Sequence, residues 1–120
     1  MQSLEDTFAK MIRDVDRLKE YGKSSSLYLE EVEARIRKSI QTVPTLRYNP
    51  FKGLGEGGNQ SFASAFLNEH GDGVVLSSLH ARDRVTVFAK PIKDFSSEHE
   101  LSAEERQVVN EAQEFYKAKS

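Results

Sequence analysis

The stretch that decides the fold is SFASAFLNEHGDGVVLSSLHARDRVTVFAKPI, residues 61–92. It contains three runs with the apolar and β-branched residues that strands prefer, and two short polar segments, 69–73 and 81–83, separate these runs. Strands that follow one another through turns this short pair as antiparallel neighbours. The stretch therefore predicts an antiparallel β-meander with strands at 61–68, 74–80 and 84–92.

The first predicted strand has two different faces. Phe62 and Phe66 fall on one face, and Ala63, Ala65 and Leu67 fall on the other. A sheet this small needs a second layer over one face to be stable. We therefore expect another element of the chain to pack on it.

The C-terminal segment supplies that layer. Ser102 and Glu105 have the spacing of a capping box, which predicts the start of a helix. Helical spacing then places on one face the apolar residues Val108, Val109, Ala112, Phe115 and Tyr116. The simplest architecture packs this C-terminal helix on the meander.

The N-terminal segment carries a heptad pattern with one narrow apolar seam. Its members are Leu4, Phe8, Met11, Val15, Leu18, Leu29, Val32 and Ile36. The count also passes through Gly22 and Ser25, and two structures fit it: a continuous helix in a parallel coiled coil with another copy, or a helical hairpin broken at 21–26. We expect two helical segments interrupted at Gly22, with Pro44 closing the second, and self-association in either case.

The predicted fold class is α+β, with two parts. Residues 1–44 form a helical hairpin or coiled-coil segment, and residues 45–120 form a small α+β domain. The second part begins with a short strand at 45–49, continues through a flexible loop at 53–59 into the meander, and ends with the helix on the sheet.

Composition excludes several classes of function. The chain has 120 residues, 17 basic and 19 acidic side chains, a net charge of −2 and no cysteine. The absence of cysteine excludes disulfides, thiolate metal sites and a cysteine nucleophile. No apolar run has membrane-spanning length, and the near-neutral charge provides no strong field to attract nucleic acid.

The candidate catalytic and metal-binding motifs in the sequence are incomplete. Gly22-Lys23-Ser24 resembles the end of a phosphate-binding loop, but Arg17 stands where the earlier glycine is needed. The three histidines, His70, His80 and His99, lack partners at metal-ligand spacing on a helix. We therefore expect no enzyme activity, no metal and no cofactor.

A basic cluster is the candidate ligand site. Arg47, Arg82, Arg84 and Lys90 could gather a carboxylate or a phosphate group if the fold brings them together. The alternative is that these residues pair with nearby acidic side chains on the surface. Nucleic-acid binding would need exposed aromatic residues among the basic ones. We expect the core to use most of the aromatics, namely Tyr48, Phe51, Phe62, Phe66 and Phe88, and do not expect nucleic acid as a partner.

Five short motifs in the second part resemble a bacterial family, domain of unknown function 4446. They are RYNPF at 47–51, GGNQSF at 57–62, DGVVLSSLHAR at 72–82, FAKPI at 88–92 and LSAEE at 101–105. The resemblance covers about residues 45 to 110. One departure is Phe88, where members of this family usually have tyrosine.

The resemblance implies a plan for the whole protein. Such proteins typically have a membrane-spanning helix, then a coiled coil, then this β domain. It implies that the present chain is a soluble fragment that starts just after an anchor at the bacterial inner membrane, with the head on the cytoplasmic side. It implies no activity.

Two hypotheses follow. The first is a non-enzymatic interaction module, in which a membrane-proximal oligomerising stalk carries a small α+β head that binds a protein partner. The alternative is a sensor domain that binds a small anionic or phosphate-bearing ligand through Arg47, Arg82, Arg84 and Lys90.

Overall fold

The computed structural model describes residues 3–50, 60–81 and 83–119, and it has the predicted α+β class. The elements in chain order are α1 (Leu4–Lys38), β1 (Ile40–Thr42), β2 (Thr45–Tyr48), β3 (Ser61–Asn68), β4 (Gly73–His80), β5 (Val85–Ile92) and α2 (Ala103–Lys119). The chain divides into two compact units, Met1–Ile36 and Arg37–Ser120.

Helix α1 is one continuous helix of 35 residues, so the predicted interruption at Gly22 is wrong. The cap of Ser3 fixes its start, since the Ser3 Oγ accepts a hydrogen bond from the Asp6 backbone N–H at 3.1 Å. Glycine in a helix interior costs only about 1 kcal/mol relative to alanine. Helix propagation from good helix formers on both sides outweighs that cost, because nucleation is needed only once.

The helix ends at Lys38, so the prediction that Pro44 closes it is wrong. Residues Ile40–Thr42 form β1 instead, which pairs antiparallel with the end of β3. The register shifts between Ile40 and Thr42. At this shift the Tyr116 hydroxyl accepts a hydrogen bond from the Gln41 N–H at 3.0 Å and donates one to the Leu67 carbonyl at 2.6 Å. A side chain of α2 therefore completes the pairing that the ladder leaves out.

The described strands form one sheet of five, and the predicted meander β3-β4-β5 is confirmed within it. β1 and β2 both pair with β3, β2 over residues 61–64 and β1 at residues 67 and 68. The β3-β4 turn is built by Asn68, whose carbonyl accepts from the Gly71 N–H and whose side chain accepts from the Asp72 N–H. The predicted loop at 53–59 lies outside the described residues.

Helix α2 packs on the sheet, as predicted. It covers the face that carries Ala63, Ala65 and Leu67, and this layer contains the core. The capping box is also present, since the Ser102 N–H donates to Glu105 Oε1 at 2.8 Å and the Glu105 N–H donates to Ser102 Oγ at 3.1 Å. The fully buried or nearly buried apolar residues are Ala63, Ala65, Leu67, Val75, Ile92, Val108, Val109, Ala112 and Tyr116.

The expectation that the aromatic residues of the β segment fill the core is wrong for Phe62, Phe66 and Phe88. Phe62 and Phe66 are half-buried, and their register places them on the face opposite α2. Phe88 is 43% exposed. Alanines line the helix-facing side because small side chains let α2 approach the sheet closely, and bulky rings would hold it away.

Candidate interaction surfaces

The residues of the predicted anion site lie in three different settings. Arg47 is exposed on β2, and Arg84 is exposed just before β5. Arg82 lies outside the described residues. Lys90 is half-buried on β5, beneath the start of α2.

The Lys90 ammonium group is occupied by acceptors of the chain itself. It donates to Glu105 Oε1 at 2.8 Å and to the Glu100 carbonyl at 2.7 Å, and it lies 5.5 Å from the centre of the Phe88 ring. Only 20% of the Lys90 side chain and 2% of the Glu105 side chain are exposed. This ion pair is a structural link between β5 and α2.

Glu105 is the centre of this polar cluster. Its Oε2 accepts a hydrogen bond from the Ser77 hydroxyl at 2.6 Å, and its Oε1 is shared by Lys90 and the Ser102 N–H. Burial by itself raises the pKa of Glu105, but the hydrogen bonds from Lys90, Ser77 and Ser102, together with the Lys90 charge, outweigh it and the net pKa lies below 4.5. The carboxylate is therefore held ionised inside the fold.

The phenol of Tyr48 lies near the same acidic group. Burial raises the pKa of Tyr48 above 10.0, and the negative charges of Glu104 and Glu105 raise it further. The phenol therefore stays protonated at neutral pH.

Strand register separates Arg47 from Lys90. Arg47 pairs with Phe62, which pairs with Ser78, and this row lies on the face opposite α2. Lys90 pairs with Val75 on the α2 side. Because directly paired residues share a face, Arg47 and Lys90 point to opposite sides of the sheet and cannot clamp one small anion together. Anion binding by the other members stays a prediction.

Most of the predicted seam of α1 is exposed in the described chain, where the helix buries no residue. Exposed fractions run from 48% for Val15 to 72% for Leu4, while Val32 is half-buried. The other exposed members are Phe8, Met11, Leu18, Leu29 and Ile36. Apolar side chains in this number on one stripe of a helix are typical of a surface that another helix covers.

A second apolar surface lies on the sheet, and we call it the open face because no described element of the unit Arg37–Ser120 packs on it. Strand register places on this face the side chains of Phe62, Phe66, Val74, Leu76, Val85 and Val87. Phe62, Phe66, Val74 and Leu76 are half-buried, while Val85 is 54% exposed and Val87 is 67% exposed. Strand β5, which carries these two valines, also forms one edge of the sheet. The apolar residues and the strand edge are thus side by side.

Other kinds of site find little support in the part of the chain that the structure describes. Within it, no group of three or more His, Asp or Glu side chains could hold a metal ion. None of its helices is both long and apolar enough to cross a membrane.

The family model for a protein of unknown function, DUF4446, matches residues 1–113. The chain belongs to this family. The matched range extends from the β motifs through all of α1. No curated protein and no solved structure matches the chain.

The sequence did not reveal the cluster of Lys90, Ser77 and Glu105. The capping box singled out Glu105, but the contact with Ser77 joins residues 28 positions apart, and only the packing of α2 on β4 creates it. The sequence indicated part of the open face, because the alternation along β3 places Phe62 and Phe66 on the same side of the strand. Which of the two faces α2 would cover could not be read from that alternation.

Proposed function

We propose that this chain is a non-enzymatic interaction module, in which α1 self-associates through its seam and the α+β unit binds a protein partner. The observation that carries the proposal is the exposure of α1: 35 residues with a regular apolar seam and no buried residue among those described. A helix of this length gains most of its stability in a protein from packing of its apolar face. A partner helix supplies that packing.

The open face supports the second half of the proposal. Most of its side chains are aliphatic or aromatic, and it includes the edge strand β5, whose outer hydrogen-bonding groups can accept an added strand. An apolar patch beside a strand edge suits a protein segment better than a small anion. We place the module beside the bacterial inner membrane on its cytoplasmic side, as the family resemblance implies.

Self-association is tested by measuring the mass of the chain by sedimentation over a range of concentrations. Leu18→Asp introduces a charge in the seam, and Leu27→Asp makes the same change on the opposite side of the helix, where Leu27 is 61% exposed. We expect an oligomer that Leu18→Asp dissociates and Leu27→Asp leaves intact. A monomer at all concentrations, or equal effects of the two changes, would contradict the proposal.

Protein binding by the open face is tested in cells with a photo-crosslinking amino acid. It is placed at Val87 on the open face or, as control, at Glu111 on the exposed side of α2. We expect one recurrent protein adduct at position 87 that is absent at position 111. No adduct at 87, or the same adducts at both positions, would remove this half of the proposal.

A further inference from the structure

The α1 seam has two small residues near its middle. Gly22 and Ser25 occupy consecutive seam positions between Leu18 and Leu29. A Cβ added at Gly22 would meet nothing within 4 Å, so the helix surface is open at this point. The way in which a second copy fills this gap depends on the orientation of the pair.

A parallel pair in register leaves the gap empty. Each seam residue then faces its own equivalent, so Gly22 faces Gly22 and Ser25 faces Ser25 of the second copy. Two consecutive layers of the shared core would lack side chains that fill them, and unfilled core volume is destabilising.

An antiparallel pair fills the gap in one register. When the position numbers of facing residues add up to about 40, Leu18 faces Gly22 and Val15 faces Ser25 of the second copy. Each small residue then faces a large one, and the large seam residues near the N-terminus of one helix face those near the C-terminus of the other. The remaining layers pair Met11 with Leu29, Phe8 with Val32, and Leu4 with Ile36. The whole seam from residue 4 to residue 36 is covered without an overhang.

Charged residues beside the seam favour the parallel orientation. A parallel pair would place Asp14 beside Lys19 of the second copy, whereas the antiparallel pair places the two Lys19 residues together. Lys19 is exposed, and interactions between exposed charges on long side chains are weak and screened by salt. Filling two core layers is the larger effect, so packing decides the orientation.

We propose that α1 pairs with α1 of a second copy in antiparallel orientation, in the register that places Leu18 against Gly22. The proposal rests on the self-association proposed above and specifies its geometry. The two N-terminal ends of α1 then lie at opposite ends of the pair, about 50 Å apart for a helix of this length. If both ends face the same membrane, the pair lies along the surface and does not stand upright on it.

Cross-linking tests the orientation cleanly because the chain has no cysteine. Met11→Cys and Leu29→Cys are made as separate variants, treated with a short bismaleimide linker alone and after mixing, and the products are identified by mass. We expect the 11–29 cross-link to dominate in the mixture and little 11–11 or 29–29 product from either variant alone. Efficient 11–11 and 29–29 cross-links would overturn the antiparallel register and leave self-association standing. A monomeric mass with no cross-link of any kind would overturn both.

Discussion

The two helices of this protein begin in the same way and differ in what their apolar residues meet. A serine caps each N-terminus, Ser3 for α1 and Ser102 for α2. Helix α2 has 17 residues and buries five of them, while α1 has 35 and buries none in the described chain. Burial of one large apolar side chain contributes about 1.5–3 kcal/mol. α2 gains this stabilisation within its own chain, and under our proposal α1 gains it when a second molecule covers the seam.

The largest expected effect concerns the ionic link that holds α2 to β5. Glu105→Ala removes a buried carboxylate with three hydrogen-bond donors and leaves Lys90 without its counter-ion, so we expect the free energy of unfolding to fall by about 3 kcal/mol. Urea denaturation measures it. The control is Glu114→Ala, because the Glu114–Lys117 pair on the same helix is exposed and should contribute less than about 1 kcal/mol. Equal losses of unfolding free energy in the two variants would mean that burial of the Lys90–Glu105 pair does not add to stability.

A smaller effect is expected at the hydroxyl that joins α2 to β1 and β3. Tyr116→Phe keeps the ring and removes the group that binds the Gln41 N–H and the Leu67 carbonyl, and we expect a loss of about 1–2 kcal/mol. Tyr21→Phe in α1 is the matched control, since Tyr21 is 74% exposed. Thermal or urea denaturation of both variants measures the difference. An unchanged stability of Tyr116→Phe would show that water replaces the hydroxyl without cost.

The stabilisation that the Glu105 carboxylate provides depends on pH, and the direction of this dependence is fixed. The pKa of Glu105 is lower in the folded chain than its ordinary 4.5, so its contribution is fully present above 4.5 and is lost as pH falls through the lower folded value. Denaturation of the native chain and of Glu105→Gln should therefore differ most near neutral pH, and the difference should shrink in acid below 4.5. A difference that grows with acidification would reverse the sign and contradict the assignment of an ionised, paired carboxylate.

The part of the fold that the sequence predicted is the part set by local patterns. The strands β3, β4 and β5 and the cap at Ser102 follow from alternation, turns and a four-residue motif. β1 could not be predicted in this way, because its pairing depends on the distant residues Leu67 and Tyr116. The continuity of α1 was missed because Gly22 and its neighbouring serines favour a turn locally, and the cooperativity of a long helix overrides that preference.

The candidate sites show the same division. The heptad spacing predicted a seam, and its apolar side chains are exposed. Sequence spacing did not reveal that Arg47 and Lys90 lie on opposite faces of the sheet, because strand register decides this. Anion binding by the basic residues stays a prediction. Lys90 in addition has Glu105, a partner supplied by a helix that follows β5 in the chain.

The smallest expected effect is that of a seam change on the α+β unit itself. Leu18→Asp lies in the unit Met1–Ile36. The free energy of opening that amide exchange reports for β3 should therefore change by less than about 0.5 kcal/mol, although self-association is lost. A large loss of protection in β3 would mean that the fold of the α+β unit depends on association through α1.

Amide hydrogen exchange of α1 and α2 in the same sample, measured over a series of protein concentrations, tests the central claim most directly. α2 is the internal control because its buried face is covered by its own sheet. We predict that protection of α1 rises with concentration while protection of α2 stays constant, since only α1 depends on a second molecule. Protection of α1 that is independent of concentration and equal to that of an isolated helix would contradict the account.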